Sequence, residues 1–205
     1  MTLTQITVFF LMILSVIGIS MLIHSWIDKG RIRKNLLRLS SEISGQATQE
    51  NRLIYPRFTG EMDGRTFDFF FQVVKAGRKH ILYVIYSLKS DIGSDLLLLK
   101  STYFKPILDQ AQFTAQAGDS IAGLDAPYEI RSKNPEEARQ IFERSKLSER
   151  LPALEGFTTL QLGPDAIVAG KPYDGPSDTE PTNILRNVRM MKTLAEAIER
   201  CGVPV

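Results

Sequence analysis

"LIYPRFTGEMDGRTFDFFFQVVKAGRKHILYVIYSLK", residues 53–89, is the stretch that decides the fold. Its apolar side chains recur at every second position, the period of a strand whose successive side chains point to opposite faces. Phe67, Phe69, Phe71 and Val73 fall on one face, and Asp68, Phe70, Gln72 and Val74 on the other. Asp63-Gly64 separates two such runs and tolerates the positive φ values of a tight hairpin turn. Ala76-Gly77-Arg78 marks a second turn. The run beyond it, "HILYVIYSL" (80–88), has the β-branched and aromatic mixture that strands favour. The stretch predicts an antiparallel meander of three strands.

Towards the C-terminus, "DLLLLKS" (95–101) predicts a fourth strand. Residues 103–126 contain Pro106, which breaks regular structure, and predict no clear element. A short strand follows over 128–133. Asn134 then offers an N-cap, Pro135 suits the first helical position, and Glu137 stands three residues after the cap. Ala138, Ile141 and Phe142 form the inward side of that helix. A second short helix is expected over 147–154. "FTTLQLGPDAIVAGKPY" (157–173) reads as a hairpin turning at Gly163-Pro164-Asp165. The last helix is expected from Asn183 to Arg200. Ile184, Val188, Met191, Ala195 and Ile198 line one side of it, and Arg186, Arg189, Lys192, Glu196 and Glu199 lie away from them. The pattern is α+β: an antiparallel sheet with helices on one face.

Towards the N-terminus the pattern changes. Residues 6–27, "ITVFFLMILSVIGISMLIHSWI", contain no Asp, Glu, Lys or Arg. As a helix they would rise roughly 33 Å, against a hydrocarbon core of about 30 Å. The expectation is an N-terminal transmembrane helix over residues 1–28. Lys29, Arg31, Arg33, Lys34 and Arg38 follow it and no basic side chain precedes it. That asymmetry predicts a single-pass protein of the cell membrane with its N-terminus outside and its soluble domain in the cytoplasm. Residues 29–52 are expected as a basic juxtamembrane helix and polar linker, and residues 53–205 as the cytoplasmic domain. Leu11, Ser15, Gly18, Leu22 and Ser25 share one helical side, a small-residue seam for close approach of a partner helix. His24 is the one candidate ligand for a haem or pigment metal.

The order of "F-T-G-x-x-D-G-R" (58–65), paired strands, "Y-x-I-R-S-x-N-P-E-E-A" (128–138), a hairpin and the closing "L-A-E-A-I-E" helix resembles a group of prokaryotic single-pass membrane-anchored proteins with an α+β soluble domain. That group has no assigned activity, so the resemblance implies no site residue.

The residues themselves point away from catalysis. The 205 residues carry a net charge of +2, too little for a nucleic-acid partner. No phosphate-binding glycine loop, C-x-x-C or H-E-x-x-H is present. His80 begins a strand without a carboxylate or nucleophile expected beside it. Cys201 falls near the chain end, and one cysteine forms no internal disulfide. Asp109, Asp119, Asp125 and Asp165 are scattered among turns. No catalytic residue, metal or cofactor is expected. The reading is a non-catalytic accessory or assembly subunit whose partners are the bilayer and another membrane protein. A membrane-tethered enzyme and a pigment- or haem-associated scaffold built on His24 remain the alternatives. Phe70 and Val74, pointing away from the helix-covered face, form a candidate partner patch. The oligomeric state is not legible.

Overall fold

The computed structural model describes residues 3–51, 54–76, 78–92, 96–100, 119–120, 128–132, 134–154 and 156–201. Among the described residues nine strands form one antiparallel sheet: β1 (Gly45–Thr48), β2 (Arg57–Met62), β3 (Arg65–Ala76), β4 (Lys79–Lys89), β5 (Leu96–Leu99), β6 (Asp119–Ser120), β7 (Glu129–Ser132), β8 (Thr159–Leu162) and β9 (Ala166–Pro172). Their order across the sheet is β1-β2-β3-β4-β9-β8-β5-β7-β6. Among the described residues four α-helices accompany it: α1 (Leu3–Glu42), α2 (Pro135–Arg144), α3 (Leu147–Arg150) and α4 (Pro181–Arg200).

The first two hairpins follow the predicted turns. Asp63 and Gly64 take φ of 52° and 78°, the left-handed pair that a two-residue hairpin requires. The turn is held to α4, because Lys192 Nζ donates to Asp63 Oδ2 at 2.7 Å and Arg65 grips Glu199 through two bonds of 2.8 and 2.6 Å. β3 and β4 then pair along their length, with Phe69 opposite Tyr86 and Phe70 opposite Ile85. The α2 cap forms as read: Asn134 Oδ1 accepts from the Glu137 backbone N–H at 3.3 Å, and Asn134 Nδ2 donates to Glu137 Oε2 at 3.2 Å. Gly163 closes the β8–β9 turn by donating to the Ala166 carbonyl at 2.9 Å.

One sheet face carries the main core. Phe58, Phe67, Phe69, Tyr86, Leu96, Leu98, Ile130, Leu160 and Ile167 meet Ile141 and Phe142 of α2 and Ile184, Val188, Met191 and Ile198 of α4. Tyr86 makes edge contacts with Phe69 and Phe157, centroids 5.1 and 5.4 Å away. Its hydroxyl accepts from buried Asn187 at 3.0 Å, and burial raises the Tyr86 hydroxyl well above its ordinary value. The opposite face carries a smaller cluster of Val74, Tyr83, Ile85, Leu97 and Leu99.

The N-terminal expectation is corrected. Among the described residues no helix is long and apolar enough to cross a membrane, so the N-terminal transmembrane helix is not part of the fold class, which is α+β with an antiparallel sheet. The apolar run does not form a helix of its own that stops at the basic residues. It is the first half of α1, which continues unbroken to Glu42. There Ile32, Leu36 and Leu39 are wholly buried in the main core. Where the sequence suggests a polar linker up to residue 52, β1 instead pairs with β2, Gly45 facing Gly60. Phe58 explains both glycines, because a Cβ on Gly45 or Gly60 would lie 2.4 or 2.5 Å from its ring. The β5 strand is present, but it lies between β8 and β7 and not beside β4.

Candidate functional site

The α1 helix has two chemically different halves. Every described side chain from Phe9 to Ser20 is exposed, so no side of the helix is shielded there. Phe10, Met12 and Val16 are each more than 60% exposed. Within the predicted seam, Ser15 Oγ donates back to the Leu11 carbonyl at 2.9 Å. A Cβ on Gly18 would meet nothing within 4 Å. The backbone at Leu22, His24 and Ser25 is helical, and their side chains lie outside the described residues.

At Asp28 the helix meets the sheet. The Tyr173 hydroxyl donates to both Asp28 oxygens, at 3.2 and 3.1 Å. Burial first, and the Asp28 charge second, raise the Tyr173 hydroxyl far above its ordinary range, so it stays a donor. The same two causes raise Tyr55. The Tyr55 ring stacks on Phe71 at 4.7 Å, Phe71 meets Tyr173 edge-on at 5.4 Å, and Lys29 Nζ stands 5.0 Å from the Tyr55 centroid. Two turns on, Asn35 Nδ2 donates to Thr179 Oγ1 at 3.0 Å and to the Pro176 carbonyl at 3.3 Å. Those two residues belong to a 3-10 turn, Pro176–Thr179, that leads into α4. The turn is fastened to β9, because the Asp178 carboxylate accepts from Lys171 Nζ and from the Asp174 backbone N–H. Asp28, Tyr55, Phe71 and Tyr173 thus clamp the helix to the domain. Sequence reading missed this clamp. The available signal was Asp28, the first charged side chain after 27 residues without one.

The candidate patch divides. Val74 is buried among Tyr83, Ile85, Leu97 and Leu99, and Phe70 is only partly covered. The register puts Tyr83 on this face as well. Phe70 floors an open cavity of about 390 Å³ with Ile85 and Val168. At its rim Arg57 pairs with Asp68 at 2.9 Å, its guanidinium 5.4 Å from the Phe70 centroid. Thr59 Oγ1 donates to the same Asp68 oxygen at 2.5 Å. The cavity joins a carboxylate that is already paired to an apolar floor.

The titratable residues weighed from sequence stay apart. His80 faces Lys75 beside the turn end of the β3–β4 hairpin, whereas Asp68 faces Ser87. Cys201 Sγ donates to the Ala197 carbonyl at 3.1 Å as the last turn of α4 closes. Asp165 sits in the β8–β9 turn. Asp109 and Asp125 lie outside the described residues, and so does the side chain of Asp119. Among the described residues no three His, Cys, Asp or Glu side chains gather to hold a metal.

No protein-family model and no curated protein matches the sequence. The fold is similar to that of the mycobacterial trehalose monomycolate transport factor A in its crystal structure, with a TM-score of 0.57. The match covers 86% of this chain and 97% of that one at 12% identity. At that identity the likeness shows a common fold and nothing finer.

Proposed function

We propose that the chain is a non-catalytic accessory subunit that works at a membrane beside a larger membrane protein or complex. One observation carries the reading: α1 exposes an apolar surface on all sides in its first half, while its second half is fixed in the core. A helix that is apolar all round is a helix meant to be covered. The helices of a membrane partner suit a surface with no polar stripe. The side of α1 that carries Leu11, Ser15 and Gly18 is the place where a partner helix could approach most closely. The domain would lie on the cytoplasmic face, where anionic lipid attracts basic segments. The similar fold of a transport factor supports the accessory part of the reading, as do the sequence motifs that resemble membrane-anchored proteins.

The test is fractionation of cells expressing the full chain, followed by mild-detergent purification and mass spectrometry of co-purifying chains. The chain is expected in the membrane fraction, protected from protease added to intact cells, and accompanied by at least one membrane protein. Gly18→Ile should reduce recovery of that protein while Ile17→Leu does not. A chain left in the supernatant would overturn the membrane role, and a chain that purifies from membranes alone would overturn the accessory role.

A further inference from the structure

We propose that the cleft where α2, α3 and α4 end is a binding site for the phosphate group of a soluble molecule. The proposal does not depend on the membrane role above. The cleft has a volume of about 240 Å³. Among the described residues that line it, Arg144, Lys146, Arg150 and Arg200 are cationic and Glu196 alone is acidic. Arg144 is the last residue of α2, Arg150 of α3 and Arg200 of α4. The fold therefore brings charges from distant parts of the chain to one concave surface.

Convergence and fixed geometry set these cations apart from the other exposed ones. The cavity over Phe70 has Arg57 against Asp68 and Asp165, so its wall is acidic on balance. The cleft beside Ser90 is acidic too, with Arg65 and Lys89 against Asp91, Asp165 and Glu199. The cleft at the helix ends has the opposite balance, four cations to one carboxylate. Glu196 is shared with Lys192 at 3.5 Å and reaches Arg200 only at 3.8 Å. Arg150 Nε donates to the Ser145 carbonyl at 3.1 Å, which anchors one edge of the guanidinium and leaves its terminal N–H groups for a ligand. Lys146 takes φ of 50°, a conformation that favours glycine, yet carries an ammonium on the cleft wall. The negative end of each helix would attract one basic side chain, which accounts for the three arginines singly. It does not account for Lys146, nor for three helix ends opening on one cleft.

The chemistry of the wall selects the ligand. Four like charges around one cleft repel one another, and a bound anion offsets that repulsion. A phosphate group carries about −1.5 to −2 at neutral pH and three acceptor oxygens, which suits this excess better than a singly charged carboxylate. The planar N–H pairs of arginine match its oxygens. Position argues for a soluble carrier. α4 starts beside α1, where Asn35 meets Thr179, and reaches the cleft 20 residues later, a length of about 30 Å. The cleft is thus separated by a full helix length from the point where α1 joins the domain.

The experiment is isothermal titration calorimetry of the full chain in mild detergent and phosphate-free buffer. Glycerol 3-phosphate is the probe and glycerol the uncharged control. Wild type should bind glycerol 3-phosphate at one site and should not bind glycerol. R144Q/R150Q should weaken binding by roughly tenfold for each guanidinium removed, on the order of 100-fold in total. Arg38→Gln, which removes an exposed cation of α1, should bind as wild type does. Lys146→Gly should weaken binding about tenfold without lowering the unfolding midpoint, because glycine suits a φ of 50°. That pairing of weaker binding with undiminished stability separates loss of a ligand contact from damage to the fold. Absence of glycerol 3-phosphate binding by wild type overturns the proposal. So does a loss of affinity in Arg38→Gln as large as that in R144Q/R150Q, or full affinity in R144Q/R150Q. If wild type ignores glycerol 3-phosphate but binds phosphatidylcholine vesicles containing phosphatidic acid, and R144Q/R150Q does not, the cleft takes a lipid phosphate and the soluble carrier is wrong.

Discussion

Leu36→Ala and Leu37→Ala are neighbouring substitutions in α1 that separate a core helix from a tether. Leu36 is wholly buried in the main core, and Leu37 is 52% exposed on the far side of the same turn. Removing a buried leucine loses transfer free energy and leaves a cavity. Core Leu→Ala changes cost about 2.7–5 kcal/mol. Leu36 sits between α1 and the rest of a continuous cluster, where helix and sheet cannot both collapse inward, so a cost of about 3 kcal/mol is expected. Out of a total of roughly 5–15 kcal/mol, that is a large fraction. The exposed substitution should stay within about 0.5 kcal/mol. The assay is guanidinium unfolding of the full chain in mild detergent, followed by near-ultraviolet circular dichroism of the buried tyrosines Tyr83 and Tyr86. The midpoint should fall sharply for Leu36→Ala with little change in slope. If the two variants unfold together, α1 is a tether beyond Asp28 and Leu36 is not part of the core.

Two further outcomes test the links between α4 and the sheet. The paired guanidinium of Arg65, with help from the Asp91 backbone N–H, holds the Glu199 carboxyl below its ordinary value of 4.5. A depressed folded value means that the unfolded chain binds the proton more readily. The stabilisation is therefore present above about pH 4.5 and is lost as pH falls through the folded value. Glu199→Gln should cost about 1–2 kcal/mol at neutral pH and almost nothing in acid, read as converging unfolding midpoints. Asn187→Ala should strand the buried Tyr86 hydroxyl at a cost of about 1–3 kcal/mol, and Tyr86→Phe made in the same chain should recover part of it. Additive losses in that double-substitution cycle would show that the 3.0 Å bond contributes nothing.

The sequence revealed most where periodicity and local chemistry agree. Asp63-Gly64 is bracketed by alternating runs, and the turn forms there. Asn134-Pro135 combines a side-chain acceptor with a fixed φ, and α2 starts there. Two kinds of feature stayed hidden. The first is strand order: β5 has the composition of a buried strand, but nothing local shows that it lies between β8 and β7 and not beside β4. The second is the fate of α1. A run of apolar residues followed by basic ones looks like a membrane segment with a boundary. Only the distant partners of Ile32, Leu36 and Leu39 show that the helix continues into the core. The α1 clamp was hidden for the same reason, since Asp28 and Tyr173 lie 145 positions apart in the chain. The partner patch was read half correctly. The face was right, but the burial of Val74 depends on Leu97 and Leu99, which reach it through β8 and β9.

Continuity of α1 constrains how the protein can work. A helix of 40 residues extends about 60 Å, and no flexible joint separates its apolar half from the half packed in the core. A domain on a polar linker could sample many orientations. Here Asp28–Tyr173, the Tyr55–Phe71–Tyr173 stack and the Asn35–Thr179 bond fix the helix azimuth relative to the sheet within its first turns beyond Ile27. Whatever covers the apolar half therefore also sets the orientation of the sheet. The apolar half of α1 and the cavity over Phe70 keep a fixed relation to one another. An accessory subunit built in this way would present its sheet to a neighbour at one angle, determined by the helix. A loose tether would instead raise only its local concentration.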